Sequence, residues 1–183
     1  IFVEQSPTLP PRLMLNENVT LNAKIVFQST NHAPKYQLGT AELIDYKNST
    51  NQNIRGILYK PSNYIQGQKY PMIVLVYENM TPKFNDYYAP TQYSPMGFTP
   101  ANYFLDGYLV LMPDIHYTIG EPGKSASDCI ESAVAEVKKR NMVLEDRIGI
   151  IGHSYGGYEI AFAISQSNTF ACAVSGSGIM NLT

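Results

Sequence analysis

One stretch of the chain decides the fold: residues 148–157 read IGIIGHSYGG. A short apolar run is followed by a serine between glycines, and this pattern predicts a buried strand, a tight turn and a helix. Gly152, Gly156 and Gly157 are small enough to let neighbouring backbone pass close to the turn. Ser154 is expected at the tip of the turn with a positive φ, a strained conformation that would hold its side-chain oxygen above the edge of a sheet.

Three further apolar runs resemble the one before Ser154. They are residues 71–77, 108–112 and 171–174. Short strands that are apolar throughout are typical of a parallel sheet that is covered on both faces. The order of strands and helices along the chain therefore predicts an α/β fold with a mostly parallel sheet.

Two helices are expected between these strands. The first, over about residues 124–140, has a capping-box pattern at Ser125–Asp128, and Asn141 is suited to end it. The second begins at about Tyr155 and ends at about Gln166. Its inward-facing residues are predicted to be Ile160, Ala161, Ala163 and Ile164.

The first third of the chain has a different pattern. Residues 41–46 and 54–60 alternate as strands do and are separated by a polar turn, so they predict an antiparallel hairpin ahead of the parallel sheet. Residues 1–38 are rich in Pro, Asn and Thr and contain only short strand-like runs. We therefore expect two parts, a β-rich leader over residues 1–38 and an α/β domain over residues 39–183.

Composition argues against several classes of function. The formal net charge is −2 and the longest basic run is the triplet at residues 138–140, so no nucleic acid partner is expected. Cys129 and Cys172 are the two cysteines; they lack the close spacing of a metal site, and no metal or other cofactor is implied. No apolar run reaches 18 residues, so no membrane span is predicted. Localisation stays open, with a slight preference for a secreted or periplasmic protein over a cytoplasmic one.

The G-x-S-x-G pattern between a strand and a helix is typical of the nucleophile elbow of α/β-hydrolases. On this interpretation Ser154 is the nucleophile. The backbone N–H of Tyr155, in the first turn of the helix, would point to the place where an oxyanion forms. The alternative interpretation is a glycine-rich turn without a catalytic role, which any doubly wound fold can contain, nucleotide binders included.

A serine nucleophile needs a general base, and the chain has three histidines. His153 adjoins Ser154 and is expected to point away from its hydroxyl. His116 follows a strand at the carboxyl edge of the sheet, and His32 lies in the leader. Because the acid and the histidine follow the serine in this class, and no histidine follows Ser154, the base is expected to be missing from this chain.

Several segments resemble the prolyl oligopeptidase family of serine peptidases, in its dipeptidyl-peptidase and acylaminoacyl-peptidase branches. Residues 146–158, DRIGIIGHSYGGY, resemble the elbow of that family, and residues 170–178, FACAVSGSG, resemble its next strand and turn. Residues 58–61 and 69–74 are similar to the strands that open the catalytic domain. Residues 1–38 resemble the last strands of the β-propeller that precedes it.

The resemblance implies a partial α/β-hydrolase fold and a serine peptidase that cleaves oligopeptides through an acyl-enzyme at Ser154. It also implies that the Tyr155 N–H and the Tyr77 hydroxyl form the oxyanion hole. Many family members have Gly-Gly-Pro or a similar turn of small residues after this strand, whereas this chain continues with Glu78-Asn79-Met80. The resemblance places most of the propeller before Ile1 and the acid and the base after residue 183.

The expected partner is a peptide substrate. Two alternatives to a peptidase stay open, namely an esterase or other acyl hydrolase on the same fold and a catalytically silent fragment. A half sheet that ends on an exposed strand would also favour homo-oligomers.

Overall fold

A computed structural model describes residues 1–16, 23–32, 34–91, 93, 94 and 98–180. The first part of the chain forms a three-stranded antiparallel sheet in the order β1-β2-β3. Its strands are β1 (Phe2–Ser6), β2 (Leu9–Leu15) and β3 (Lys24–Gln28). The short strand-like runs noted in residues 1–38 do form strands, while the boundary at residue 38 and the likeness to a propeller stay predictions.

The rest of the chain is built around a six-stranded mixed sheet in the order β4-β5-β7-β6-β8-β9. Strands β4 and β5 form the expected antiparallel hairpin, β5 pairs antiparallel with β7, and β7, β6, β8 and β9 run parallel to one another. The mostly parallel sheet with an antiparallel hairpin at its edge is therefore confirmed. Its strands are β4 (Thr40–Lys47), β5 (Asn53–Lys60), β6 (Tyr70–Val76), β7 (Leu109–Pro113), β8 (Val143–His153) and β9 (Cys172–Gly176).

Helices cover both faces of this sheet. Met72, Val74 and Val76 of β6 belong to an apolar core that includes α2 (Pro122–Lys139) and α3 (Tyr155–Gln166). On the other face, Leu75 belongs to a second core with α1 (Pro100–Leu105), a short helix that the sequence patterns did not predict. Because both faces are buried, the central strands are apolar throughout rather than alternating. None of the helices in the described ranges is long and apolar enough to cross a membrane.

Helix α2 begins earlier than expected, and the predicted capping box is wrong. Pro122 opens the helix and Glu121 is its N-cap, with no side-chain capping bond. Proline favours this position because its fixed φ suits the first turn. Asp128 instead accepts hydrogen bonds from the backbone N–H and the hydroxyl of Ser49, each at 3.0 Å. The predicted end is confirmed, since Asn141 adopts a φ of 55° directly after the last turn.

The inward face of α3 is only partly as predicted. Ile160 and Ala163 are buried, whereas Ile164 is 43% exposed and Ala161 is half-buried. The buried stripe also contains Glu159, which shifts the centre of the inward face away from Ile164. The prediction failed there because a glutamate was not expected inside.

Candidate active site

Ser154 lies between the end of β8 and the first residue of α3, in a strained conformation with φ 56° and ψ −118°. Its backbone N–H donates to the carbonyl of Gly176 at 2.8 Å, and its carbonyl accepts from the N–H of Gly157 at 3.0 Å. The turn after β9 and the first turn of α3 therefore hold the strained residue from both sides. Backbone strain of this kind persists only where the surrounding structure fixes it.

The three glycines of the elbow are places of close backbone approach. A Cβ atom on Gly152 would lie 2.4 Å from the carbonyl oxygen of Gly156, and one on Gly156 would lie 2.2 Å from that of Val76. A Cβ on Gly157 would lie 2.7 Å from the Cα of Gly178. All three distances are below van der Waals contact, so no larger residue fits without a shift of the backbone. This sequence thus brings the start of α3 directly against β6 and the turn after β9.

Tyr155 is the first residue of α3. The first N–H groups of a helix have no partner within the helix and carry its positive partial charge, so they favour an anionic oxygen. The side chain of Tyr155 packs against two other tyrosines, with ring centroids 6.0 Å from Tyr117 and 5.6 Å from Tyr158. Burial, with a contribution from nearby Glu159, raises the pKa of the Tyr155 hydroxyl.

Tyr77 directly follows β6 at the same edge of the sheet. The preceding Val76 pairs with Gly152 across the parallel ladder, which places Tyr77 beside the elbow. Its Cδ2 atom lies 3.4 Å from the position that a Cβ of Gly156 would take, and the Lys83 ammonium lies 5.8 Å from its ring centroid. The ring also lines a cavity of about 100 Å³ on the α1 side of the sheet. The fold therefore brings Ser154, Tyr155 and Tyr77 together.

The loop that carries Tyr77 is anchored by the segment after β7. Asp114 accepts hydrogen bonds from the backbone N–H groups of Met80 and Thr81 at 2.5 and 2.7 Å, and from the Thr81 hydroxyl at 2.5 Å. The Ile115 N–H donates to the carbonyl of Glu78 at 3.0 Å. Glu78 itself has a φ of 45°, in the left-handed region. This turn is thus strained but well supported.

Glu159 is a residue of the site that the sequence analysis missed. It lies on α3 one turn after Tyr155 and is fully buried. The Tyr117 hydroxyl donates a short hydrogen bond to its Oε1, while Oε2 is buried and has no hydrogen-bond partner among the described residues. Burial raises the pKa of Glu159 to about 7, although the Tyr117 hydroxyl and the Glu78 backbone N–H act in the opposite direction. The available signal was its position on the inward stripe between Gly156 and Ile160.

No histidine hydrogen-bonds the Ser154 hydroxyl in the part of the chain that the structure describes, although all three histidines lie within it. The His153 ring lies beside Gly176, with its Cδ2 3.3 Å from the position that a Cβ there would take. His116 is exposed, and its backbone N–H donates to the Cys129 sulfur. The described residues also contain no cluster of three or more His, Cys, Asp or Glu side chains that could hold a metal ion.

Known proteins with similar sequences are peptidases. Residues 120–183 match the sequence model of the prolyl oligopeptidase family. The chain is 27% identical over 159 residues to the probable chloroplastic glutamyl endopeptidase of Oryza sativa subsp. japonica, and 26% identical over 154 residues to human dipeptidyl peptidase 8. These alignments cover 78% and 75% of this chain but only 17% and 16% of the relatives. The chain thus spans about a sixth of the length of the curated relatives that it matches.

Solved structures show the same fold. The acylaminoacyl peptidase of Pyrococcus horikoshii matches 97% of this chain with a TM-score of 0.71 and 22% identity, over 29% of its own length. The dipeptidyl peptidase 4 of Porphyromonas gingivalis matches 97% of this chain with a TM-score of 0.75 and 17% identity, over 27% of its own length. The match over residues 120–183 confirms the resemblance of this part of the sequence to the prolyl oligopeptidase family, and the solved structures show that the rest of the chain shares the same fold.

Proposed function

We propose that the chain forms the nucleophile half of a serine peptidase that cleaves oligopeptides. The observation that carries the proposal is the conformation of Ser154, which is strained at φ 56° on a strand-to-helix turn whose glycines touch backbone on both sides. Such strain at a serine needs a reason, and the exposure of a nucleophilic oxygen supplies one. Residues 39–183 would belong to the catalytic domain, with residues 1–38 as a leader.

In the proposed reaction the Ser154 oxygen attacks the carbonyl carbon of the scissile peptide bond, and its proton passes to a general base. The negative charge that develops on the carbonyl oxygen is stabilised by the Tyr155 backbone N–H and the Tyr77 hydroxyl. Collapse of this intermediate breaks the C–N bond, the amine leaves with a proton, and water then releases the acyl group from Ser154. The base is taken to be a histidine outside this chain.

The relatives support a peptide substrate, since one is named as a glutamyl endopeptidase and another as a dipeptidyl peptidase. Self-association is proposed for residues 1–183 taken alone, because Val174 on β9 is 56% exposed in them and an exposed strand edge can pair with another copy. Sedimentation velocity over a range of concentrations would test this point. A sedimentation coefficient that does not change with concentration would contradict weak association.

A fluorophosphonate probe, which reacts with activated serines, tests the nucleophile. The full-length protein is expected to be labelled at Ser154, and Ser154→Ala is expected to abolish labelling. Ser165→Ala is a matched control, because Ser165 lies on the same helix and its hydroxyl is exposed, donates to the carbonyl of Phe162 and accepts from the side chain of Gln166. Equal labelling of the wild type and Ser154→Ala would refute the assignment.

The substrate class is tested by comparing kcat/KM for aminoacyl amides and for simple esters with the same acyl group. The proposal expects turnover of the amides that disappears in Ser154→Ala. Hydrolysis of esters alone would instead identify an esterase on the same fold.

A further inference from the structure

Glu159 has no part in the proposed reaction, yet the burial of its carboxylate is unfavourable for the stability of the fold. Its side chain is fully buried, and no Lys, Arg or His among the described residues forms an ion pair with it. Burial of an acidic group without a cation is unfavourable compared with an apolar side chain of the same size. The neighbouring Ile160 and Ala163 show that the same surface of α3 accepts apolar residues. The glutamate therefore needs a reason of its own.

Hydrogen bonds link Glu159 to the segment after β7, and that segment to the turn after β6. The Oε1 atom of Glu159 accepts from the hydroxyl of Tyr117, which lies in the segment between β7 and α2. The same segment holds the turn after β6, because the backbone N–H of Ile115 donates to the carbonyl of Glu78 at 3.0 Å. The ring of Tyr117 also lies edge-on to that of Tyr155 at the elbow. One buried side chain on α3 thus holds the segment that packs on Tyr155 and that bonds the turn after β6.

The turn at Glu78 has an unusual need for support. Glu78 is not a glycine, yet its φ is 45°, which is unfavourable for residues with a Cβ. Its carbonyl is held by the Ile115 N–H at 3.0 Å. Because Tyr77 directly precedes Glu78, this hydrogen bond also restricts the place of Tyr77.

We propose that Glu159 is a positioning residue for the oxyanion hole: its carboxylate holds Tyr117, and the segment that carries Tyr117 fixes the turn at Glu78 through Ile115 and thereby the place of the Tyr77 hydroxyl. This inference rests on the proposed function, because it assumes that Tyr77 stabilises an oxyanion. Glu159 itself forms no bond to the substrate and transfers no proton in this role.

A double-mutant cycle in the full-length protein tests the inference, with kcat and KM measured on an aminoacyl amide. Glu159→Leu is expected to lower kcat by about tenfold with less than a twofold change in KM, because a donor moved out of place is lost mainly in the transition state. Glu159→Gln, which keeps an oxygen for Tyr117, should recover part of the loss. In a Tyr77→Phe background, Glu159→Leu should change kcat by less than twofold, since the hydroxyl that it positions is gone.

The control is Glu131→Gln on α2, where Oε1 is likewise buried without a hydrogen-bond partner and Oε2 accepts from the Thr169 hydroxyl. It should leave kcat unchanged. If Glu159→Leu does not fold, Tyr117→Phe replaces it in the cycle, because that change removes only the hydroxyl that donates to Glu159.

Two results would overturn the inference: Glu159→Leu lowers kcat by the same factor in the Tyr77→Phe background as in the wild type, or it does not lower kcat in the wild type at all. In either case, labelling of Ser154 would still support the proposed function. A wild type that is not labelled at Ser154 would overturn both.

Discussion

Glu159 should make the stability of the fold depend on pH, and replacement by glutamine should remove that dependence. Burial raises its pKa from 4.5 to about 7 in the folded protein. Between these values the native state holds a proton that the unfolded chain has released, so the free energy of unfolding falls as pH rises. The difference between the two pKa values corresponds to a loss of about 3 kcal/mol in the free energy of unfolding. This loss is absent below pH 4.5 and complete above pH 7.

The other groups that face Glu159 do not reverse this sign. The Glu78 carboxylate adds a further unfavourable charge, and Tyr117 and Tyr155 have raised pKa values and stay neutral. Cys129 on α2 is also neutral in this range, because burial raises the pKa of its thiol to about 11. The Tyr117 hydroxyl and the Glu78 N–H favour the carboxylate, but burial outweighs them. The carboxylate form of Glu159 is therefore the destabilised one.

Urea unfolding of the wild type and Glu159→Gln at pH 5, 6, 7 and 8 measures the effect, followed by circular dichroism because the chain has no tryptophan. At pH 8 the variant should be more stable by about 2 kcal/mol. The neutral amide avoids the cost of about 3 kcal/mol for the buried charge, but its NH₂ group lies where no hydrogen-bond partner is found among the described residues, which costs about 1 kcal/mol. At pH 5 the two proteins should be nearly equal. Glu131→Gln controls for the chemical change itself. A difference between variant and wild type that stays constant from pH 5 to pH 8 would refute the reasoning.

Three further changes have expected outcomes that thermal or urea unfolding measures. Gly156→Ala places a Cβ 2.2 Å from the Val76 carbonyl oxygen and should cost about 3 kcal/mol, whereas Gly67→Ala, which has open space but a φ of 90°, should cost about 1 kcal/mol. Equal costs would contradict the close approach at Gly156. Ser154→Gly relieves the backbone strain at φ 56° and should be about 1 kcal/mol more stable than Ser154→Ala, with a Tm roughly 2–4 °C higher. A Tm below that of Ser154→Ala would show that the backbone at this position is not strained. Asp114→Ala leaves three donors without their acceptor and should cost about 3 kcal/mol; a loss below about 1 kcal/mol would show that the loop is held elsewhere.

The parallel sheet and the elbow could be predicted because their signals are local. Each central strand is buried on both faces, so its apolar run is visible without knowledge of its neighbours. The glycines of the elbow mark positions where backbone approaches within 2.7 Å of a missing Cβ, and only glycine allows that. Here the composition of a few consecutive residues determines the geometry.

The features that could not be predicted depend on partners distant in sequence. Asp128 looks like part of a capping box but bonds Ser49, 79 residues away. Helix α1 has only six residues, too few for a helical pattern to be recognised. A glutamate at position 159 is expected to face solvent from the sequence alone, and only its hydrogen bond with Tyr117, 42 residues away, shows why it is inside. Helical periodicity alone therefore placed Ile164 in the core instead.

The Glu78 turn and Glu159 together take the place that a turn of small residues after Tyr77 could fill without support. A glycine after Tyr77 would adopt a φ of 45° without steric cost, whereas a glutamate there costs on the order of 1 kcal/mol or more. The hydrogen bond from Ile115 offsets this cost, and the segment of Ile115 is in turn held by the bond from Tyr117 to Glu159, which requires a carboxylate inside the core. Since an apolar residue at position 159 would be cheaper to bury, the arrangement is advantageous only if the turn must be held in place. The residue that this turn holds is Tyr77, and this is the physical reason to connect a buried acid on α3 with the oxyanion side of the proposed site.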